Sequence, residues 1–251
     1  MSTAHNARDI MPIKISLLDP NKIGNKFIRI LSFWYHNKQL KKITNINDFN
    51  NYLIKLNYVN YNFYKRQSLN KRKEFTSFVE ALDINLEGLS FLDIGPGYGD
   101  ALDICHERRA AVIHFIENDP FLFHFNRIKG FAKGYYCSHR TSLHKLNGRK
   151  YNFIWLKGSI NVDQYAINEL WIKNYYLDYW LRQIERLAAS QCHIMICPYW
   201  RHDGKKPFVD DIFHNIFTNI MLKHNFTILP DINDFCKDIE YPIAFYKFIE
   251  K

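Results

Sequence analysis

The stretch FLDIGPGYGD, residues 91–100, decides how the rest of the chain is read. A short apolar run, interrupted only by Asp93, ends in a glycine-rich turn, and a helical stretch (100–109) follows. Glycines at such a point let the backbone turn sharply and approach a ligand with no side chain in the way. Here they fall as GxGxG (Gly95, Gly97, Gly99), and position 100 is Asp. A dinucleotide fingerprint sets glycine or alanine at that place, so that the helix can pack close to a pyrophosphate. Acids at 93 and 100 make a poor phosphate cradle. They suit a ligand that carries an amino group or a sulfonium.

Working downstream, VIHFIENDP (112–120) places Glu117 at the end of a second apolar run, 22 residues after Gly95. A carboxylate there can accept hydrogen bonds from both hydroxyls of a ribose. Asp119-Pro120 then reads as a helix N-cap followed by a proline in the first turn. Further strands are expected at GYYCSH (134–139), YNFIWLKGS (151–159), HIMICPY (193–199), NFTILP (225–230) and IAFYKFIE (243–250). With SFLDIG (90–95) and VIHFIE (112–117) they make seven. Helical stretches are expected at 100–109, 120–129, about 168–189 and 208–224. Short apolar strands alternating with helices predict βαβ units and an α/β fold: a seven-stranded, mostly parallel sheet with helices on both faces. The last two strands lack a clear helix between them, which predicts an antiparallel last strand.

Upstream of the turn the texture differs. Residues 23–40 read as a helix, with apolar Ile23, Phe27, Ile30, Leu31 and Trp34. Residues 47–64 read as another, with Asp48 as N-cap. YKRQSLNKRK (64–73) is polar and basic and reads as a loop before a short helix from Glu74 to Leu82. The expected organisation is a basic helical extension over residues 1–82 and an α/β domain over 83–251. Charge follows this division. Residues 1–75 hold 14 basic and 4 acidic residues, whereas 76–251 hold 20 and 21. The net +9 of the chain therefore belongs to its N-terminal third. Such a surface is either a solvated lysine-rich face or a site for an anionic partner: nucleic acid, a phosphorylated sugar or an acidic membrane face.

With 47% hydrophobic and 24% charged residues, the chain is neither disordered nor a coiled coil. No apolar run reaches the length needed to span a bilayer, and MSTAHNARDIMPIKIS lacks the apolar centre of a secretory signal, so a cytoplasmic location is expected. The five cysteines are scattered, without a CxxC pair, and read as reduced core residues.

FLDIGPGYG resembles the first motif of the class I S-adenosylmethionine-dependent methyltransferases, and FIENDP resembles their common second-strand ending. The resemblance covers about two thirds of the chain and implies a Rossmann-like sheet with S-adenosylmethionine as cofactor. It implies that Asp93 and the turn Gly95, Pro96, Gly97, Tyr98 and Gly99 flank the methionine part. Glu117 would hold the ribose, with Asn118 beside the adenine, and Lys157, Gly158 and Ser159, in the loop after strand four, near the methionine end. The family often carries an acid after the third strand for the adenine amine. SHRTSLHK (138–145) has none, and Ser142 is the expected substitute. In the family, segments before the first strand commonly fold over the cofactor. The resemblance thus implies a lid from about Phe49 to Phe78 with YKRQ (64–67) facing the cleft, where Arg66 or Lys65 meets the cofactor carboxylate or an anionic acceptor; Arg66, which fits a carboxylate bidentately, is preferred.

A weaker resemblance to sugar O-methyltransferases rests on the aromatic-rich NYYLDYWLRQIERL (174–187) and a polar loop after strand five, PYWRHDGKKP (198–207). It implies a small-molecule or glycan acceptor. The GSIN (158–161) that follows strand four is unlike the Asn/Asp-Pro-Pro-aromatic motif of base-modifying amino methyltransferases. An alcohol nucleophile needs a base as its bond to carbon forms, and histidine suits that role near neutral pH. The candidates are His202, its neighbour Asp203, and His139. Trp155, Tyr199 and Trp200 are either core residues or stacking surfaces for an acceptor. Asp203, Asp210 and Asp211 lie close in sequence, but the last two fall where a helix begins, and no metal is expected. Interleaved aromatics and cations at Tyr58, Tyr61, Phe63, Tyr64, Lys65 and Arg66 leave RNA as an alternative acceptor. A non-catalytic methyltransferase-like binding subunit is the alternative from another class.

Overall fold

The computed structural model describes residues 19–20, 23–24, 26–56, 58–137, 143–161, 170–199, 219, 221–229 and 244–248. Three helices come first: α1 (Lys26–Leu40), α2 (Ile46–Leu56) and α3 (Val59–Ala81). There follow β1 (Ser90–Ile94), α4 (Asp100–Glu107), β2 (Val112–Glu117), α5 (Pro120–Ile128) and β3 (Lys133–Tyr136). A 3-10 turn at Leu143–Leu146 leads to β4 (Tyr151–Asn161), α6 (Leu170–Leu187), β5 (Ala188–Tyr199), β6 (Phe226–Ile228) and β7 (Ala244–Phe248).

The strands hydrogen-bond in the order β3-β2-β1-β4-β5-β7-β6. Five neighbours, β3, β2, β1, β4 and β5, run parallel and form the main sheet, and β7 and β6 extend it to the seven strands expected. β7 is antiparallel to both β5 and β6, and the edge strand β6 therefore runs with the main five. The central strands are buried on both faces because alternate side chains meet helices on opposite sides. Leu92, Ile94, Ile154, Leu156 and Ile194 pack with Trp180, Leu181 and Ile184 of α6. Phe91, Phe115, Phe153 and Trp155 pack instead with Phe75, Phe78 and Val79 of α3 and with Ala101, Leu102 and Cys105 of α4. No helix among the described residues is long and apolar enough to cross a membrane.

Two expectations for the N-terminal third change. Residues 64–73 are helix, not loop: α3 runs unbroken through them. Their Lys, Arg, Gln and Leu residues carry no breaker, and ties to α4 fix them, including Arg72 to Glu107 at 2.7 Å. The single helix expected over 47–64 is instead split near Tyr58, whose extended backbone (φ −71°, ψ 115°) starts α3. Tyr58 is fully buried, stacks on Phe121 at 4.0 Å and donates its hydroxyl to Asp119. That tertiary anchor outweighs local helical continuity. A third cluster, with Leu40, Phe49, Leu53, Leu56 and Tyr58 against Phe121 and Phe125, fastens α1 and α2 to α5.

A smaller change concerns β4, which continues through Lys157, Gly158, Ser159 and Ile160 to Asn161 where a loop was expected. Its pairing with β5 shifts between Lys157 and Ile160, so the backbone bulges at Gly158 and Ser159.

Candidate functional site

The strand order reverses direction between β1 and β4, and in open α/β sheets ligand crevices form beyond the strand ends at that point. The glycine turn occupies it. Gly95, Gly97 and Gly99 have φ of 79°, 58° and 81°, values that exact a cost from any residue with a Cβ. Gly99 has a second constraint. A Cβ there would stand 1.9 Å from Asn126 Oδ1 and 2.9 Å from the Lys129 ammonium.

Both neighbours come from α5 and grip the turn from behind. Asn126 donates to the Gly97 carbonyl at 2.9 Å and to Leu122 at 3.0 Å. Lys129 donates to the Tyr98 carbonyl at 2.9 Å and pairs with Asp103 of α4 at 2.8 Å. Its ammonium also lies over the Phe125 ring, 4.9 Å from the centroid. Sequence reasoning missed these two residues. Their spacing, one helical turn apart on the segment after β2, is the only signal that could have suggested them.

Three acids surround the turn. Asp93, at the end of β1, is buried, and its Oδ1 has no hydrogen-bond partner among the described residues. Burial pushes its pKa well above the ordinary carboxylate value, helped by the nearby Glu117 charge. Glu117 is buried at the end of β2. One carboxyl oxygen accepts from the backbone N–H groups of Asn118 (2.8 Å) and Asp119 (2.9 Å). Burial, then repulsion from Asp119, raises it to about 8 despite these donors and that of Gly97. Asp100 opens α4, accepts a hydrogen bond from Ser68 of α3, and has its Oδ2 unsatisfied among the described residues. Burial raises its pKa too.

A small cleft opens between α3 and the turn, lined by Lys71, Phe75, Asp93, Gly95, Pro96, Asp100, Ala101 and Trp155. The cation facing it is Lys71. Arg66, expected in that role, lies earlier on α3 with an exposed side chain. Trp155 is a core residue, edge-on to Phe75 at 4.7 Å, that also borders the cleft.

The structure thus brings Asp93, Gly95, Pro96, Gly97, Tyr98, Gly99 and Glu117 together, with the exposed Asn118 directly beyond Glu117. Lys157, Gly158 and Ser159 lie at the C-terminal end of β4, beside β1 in the sheet. His139, Ser142, His202 and Asp203 lie outside the described residues, as do Trp200, Asp210 and Asp211. Among the described residues, no group of three or more His, Cys, Asp or Glu is placed to hold a metal ion.

No protein-family model matches the chain, and no curated protein matches it in sequence. Solved structures do match in fold. A protein assigned as a sarcosine dimethylglycine methyltransferase, from Galdieria sulphuraria, superposes with a TM-score of 0.50 at 11% identity, over 74% of this chain and 88% of that one. The fold is that of the class I S-adenosylmethionine-dependent methyltransferases. The magnesium protoporphyrin IX methyltransferase of Synechocystis, solved with bound S-adenosylmethionine, is also similar, with a TM-score of 0.46 at 12% identity over 72% of this chain and 81% of that one.

Proposed function

We propose that this chain is an S-adenosylmethionine-dependent methyltransferase that methylates an oxygen of a polar small molecule, sugar or glycan. One observation carries the cofactor assignment: two buried acids, Asp93 and Glu117, flank a glycine turn at the point where the sheet reverses order. Buried carboxyl groups with raised pKa and an unsatisfied oxygen mark a place where a ligand supplies the missing donors. An ammonium and two ribose hydroxyls are such donors. The glycine turn is open enough for backbone approach, and its acids disfavour a pyrophosphate. The residues present therefore fit this cofactor.

When bound, S-adenosylmethionine supplies a methyl group on a positively charged sulfur. In this reading Glu117 accepts the ribose hydroxyls, with Asn118 beside the adenine and Ser142 serving its amine. Asp93 and the turn from Gly95 to Gly99 hold the methionine part, with Lys157, Gly158 and Ser159 of β4 completing that end. Asn126 and Lys129 hold the turn in shape. Phe75 and Trp155 keep water from the cleft wall beside Asp93, which strengthens every charge interaction there. The acceptor oxygen would displace the sulfur from the methyl carbon, the carbon–sulfur bond breaking to leave a neutral thioether, and would pass its proton to His202, the proposed base, beside Asp203, with His139 as the second candidate.

Isothermal calorimetry tests the reading. S-adenosylmethionine and its demethylated product should bind, and NAD should not. Glu117→Ala should weaken cofactor binding by about 1–3 kcal/mol, the scale for hydrogen bonds to a charged group. Binding of NAD without S-adenosylmethionine would overturn it. His202→Ala should lower turnover on the order of 10²–10⁴-fold with cofactor affinity unchanged, whereas loss of both would make that loop structural.

A further inference from the structure

α1 is amphipathic in an unusual sense: its inner face is packed, and its outer face is also apolar. On the inner face Leu40 is buried and His36 lies against Tyr52 of α2 and Phe121 of α5. On the outer face Phe27 is 69% exposed, Ile30 56%, Leu31 38% and Trp34 63%. Their spacing of three, four and seven residues puts all four on one stripe. Exposed lysines lie at its C-terminal end, Lys38, Lys41 and Lys42, with the Lys38 ammonium 5.6 Å from the Trp34 ring. From Pro20 to Asn47 the sequence holds six basic residues and no acid.

A contiguous stripe of large apolar side chains in water marks a contact surface. The charge around it selects the partner. A second copy of the chain would set like cations against each other across the contact. Single-stranded nucleic acid would meet the cations, but its bases need flat π faces, and Ile30 and Leu31 at the centre of the stripe offer none. An anionic bilayer satisfies both components. Trp, Phe, Leu and Ile side chains enter the boundary between headgroups and acyl chains, while lysine and arginine reach lipid phosphates. We propose that α1 docks the chain, lying flat, on an anionic lipid surface through Phe27, Ile30, Leu31 and Trp34, with Lys38, Lys41 and Lys42 on the headgroups. This docking is independent of the methyl-transfer reading.

Flotation of the full chain with vesicles tests it. Vesicles of phosphatidylcholine with phosphatidylglycerol should carry the protein, phosphatidylcholine alone should not, and added salt should weaken the binding. Lys38→Gln, Lys41→Gln and Lys42→Gln together should lower partition on the order of 100-fold, at about fivefold per cation. Ile30→Glu with Trp34→Glu should abolish partition with the melting temperature unchanged, since both side chains are already in solvent. Equal binding to neutral vesicles, or binding indifferent to Ile30→Glu and Trp34→Glu, would overturn the proposal. So would tight binding of poly(U) without vesicle binding, or a dimer that Ile30→Glu dissociates in sedimentation while vesicles are ignored.

Discussion

Two clusters of acids in this molecule use the same residue types to opposite ends. Around the glycine turn, Asp93, Asp100 and Glu117 are buried, and their pKa values are raised. Between α6 and the turn before β6, Asp178 and Glu185 grip His224, whose ring nitrogens lie 3.0 Å from Asp178 and 2.8 Å from Glu185. Lys223 and Arg182 add ion pairs to Asp178 at 3.0 and 2.8 Å. Partial burial pushes Asp178 up, but hydrogen bonds from Lys223 and His224 and the nearby cations hold it at about 2. A histidine between two carboxylates looks more like machinery than a lone buried aspartate does. The energetics say the reverse. Where every charge has its opposite, the cluster is a clasp between elements. Where carboxyl groups are buried with oxygens left over, as at Asp93 and Asp100, the arrangement is one that the proposed cofactor would complete.

The largest break in that comparison should come from Gly99. Gly99→Ala requires a left-handed backbone with a Cβ and drives that atom into Asn126. Urea unfolding should show a loss of about 3 kcal/mol or more, and calorimetry should show no cofactor binding. Loss of stability with cofactor affinity intact would mean that the turn is structural only.

Asp93→Asn and Asp178→Asn should then separate the two clusters by sign. The first removes a carboxyl whose ionisation burial and Glu117 oppose, so it should raise thermal stability at alkaline pH, where that carboxyl would otherwise be forced to ionise, while weakening cofactor binding. The second removes the charge that pairs with Lys223 and Arg182 and bonds the His224 ring, and should lower stability by about 1 kcal/mol, with cofactor binding unchanged. Both measurements come from melting curves with and without S-adenosylmethionine. A destabilising Asp93→Asn would show that its charge has a partner in the free protein.

pH sharpens the contrast further. Glu117 titrates near 8 in the fold and near 4.5 when unfolded, so its contribution to stability is full below the unfolded value and is lost as pH rises through about 8. Cofactor binding runs the other way. Two ribose hydroxyls favour the carboxylate, so affinity should rise with pH up to about 8, approaching tenfold per unit below it. Glu117→Gln should flatten that slope, and calorimetry in buffers of different ionisation enthalpy should detect the released proton. A wild-type affinity independent of pH between about 6 and 9 would show that Glu117 is not the ribose ligand.

Much of this was legible in the sequence where local and tertiary preferences agree. β2 and α5 follow expectation because VIHFIE is apolar but for His114 and its final Glu117, and Asp119-Pro120 is a complete helix start, with Asp119 accepting from Phe121 at 2.8 Å and Leu122 at 3.2 Å. That Asp93, the glycines and Glu117 would meet was legible because two neighbouring parallel strands end in these residues at one edge of the sheet. α3 was not, since nothing local in YKRQSLNKRK says that Phe75 and Phe78 will lay it across the sheet. Its register decides which cation meets the cleft, so Lys71 was missed and Arg66 chosen. Asn126 and Lys129 were equally hidden, because what they hold is backbone, and carbonyl groups leave no trace in a sequence.

The smallest effect expected belongs to Tyr58, which joins the N-terminal helices to the site. Its hydroxyl donates to Asp119, the residue that caps α5 and whose backbone N–H supports Glu117. Tyr58→Phe keeps the ring stacked on Phe121 and removes only the donor. Stability should fall by about 0.5–1.5 kcal/mol, the net worth of one hydrogen bond. The effect on cofactor affinity distinguishes two roles for the same contact. If the N-terminal helices merely rest on α5, affinity stays at the wild-type value once the protein is folded. If the Tyr58 bond also fixes the β2–α5 turn, its loss weakens the Asp119 backbone N–H bond that favours the Glu117 carboxylate, and the pH at which cofactor affinity levels off moves upward. An unchanged plateau in the variant would confine Tyr58 to packing.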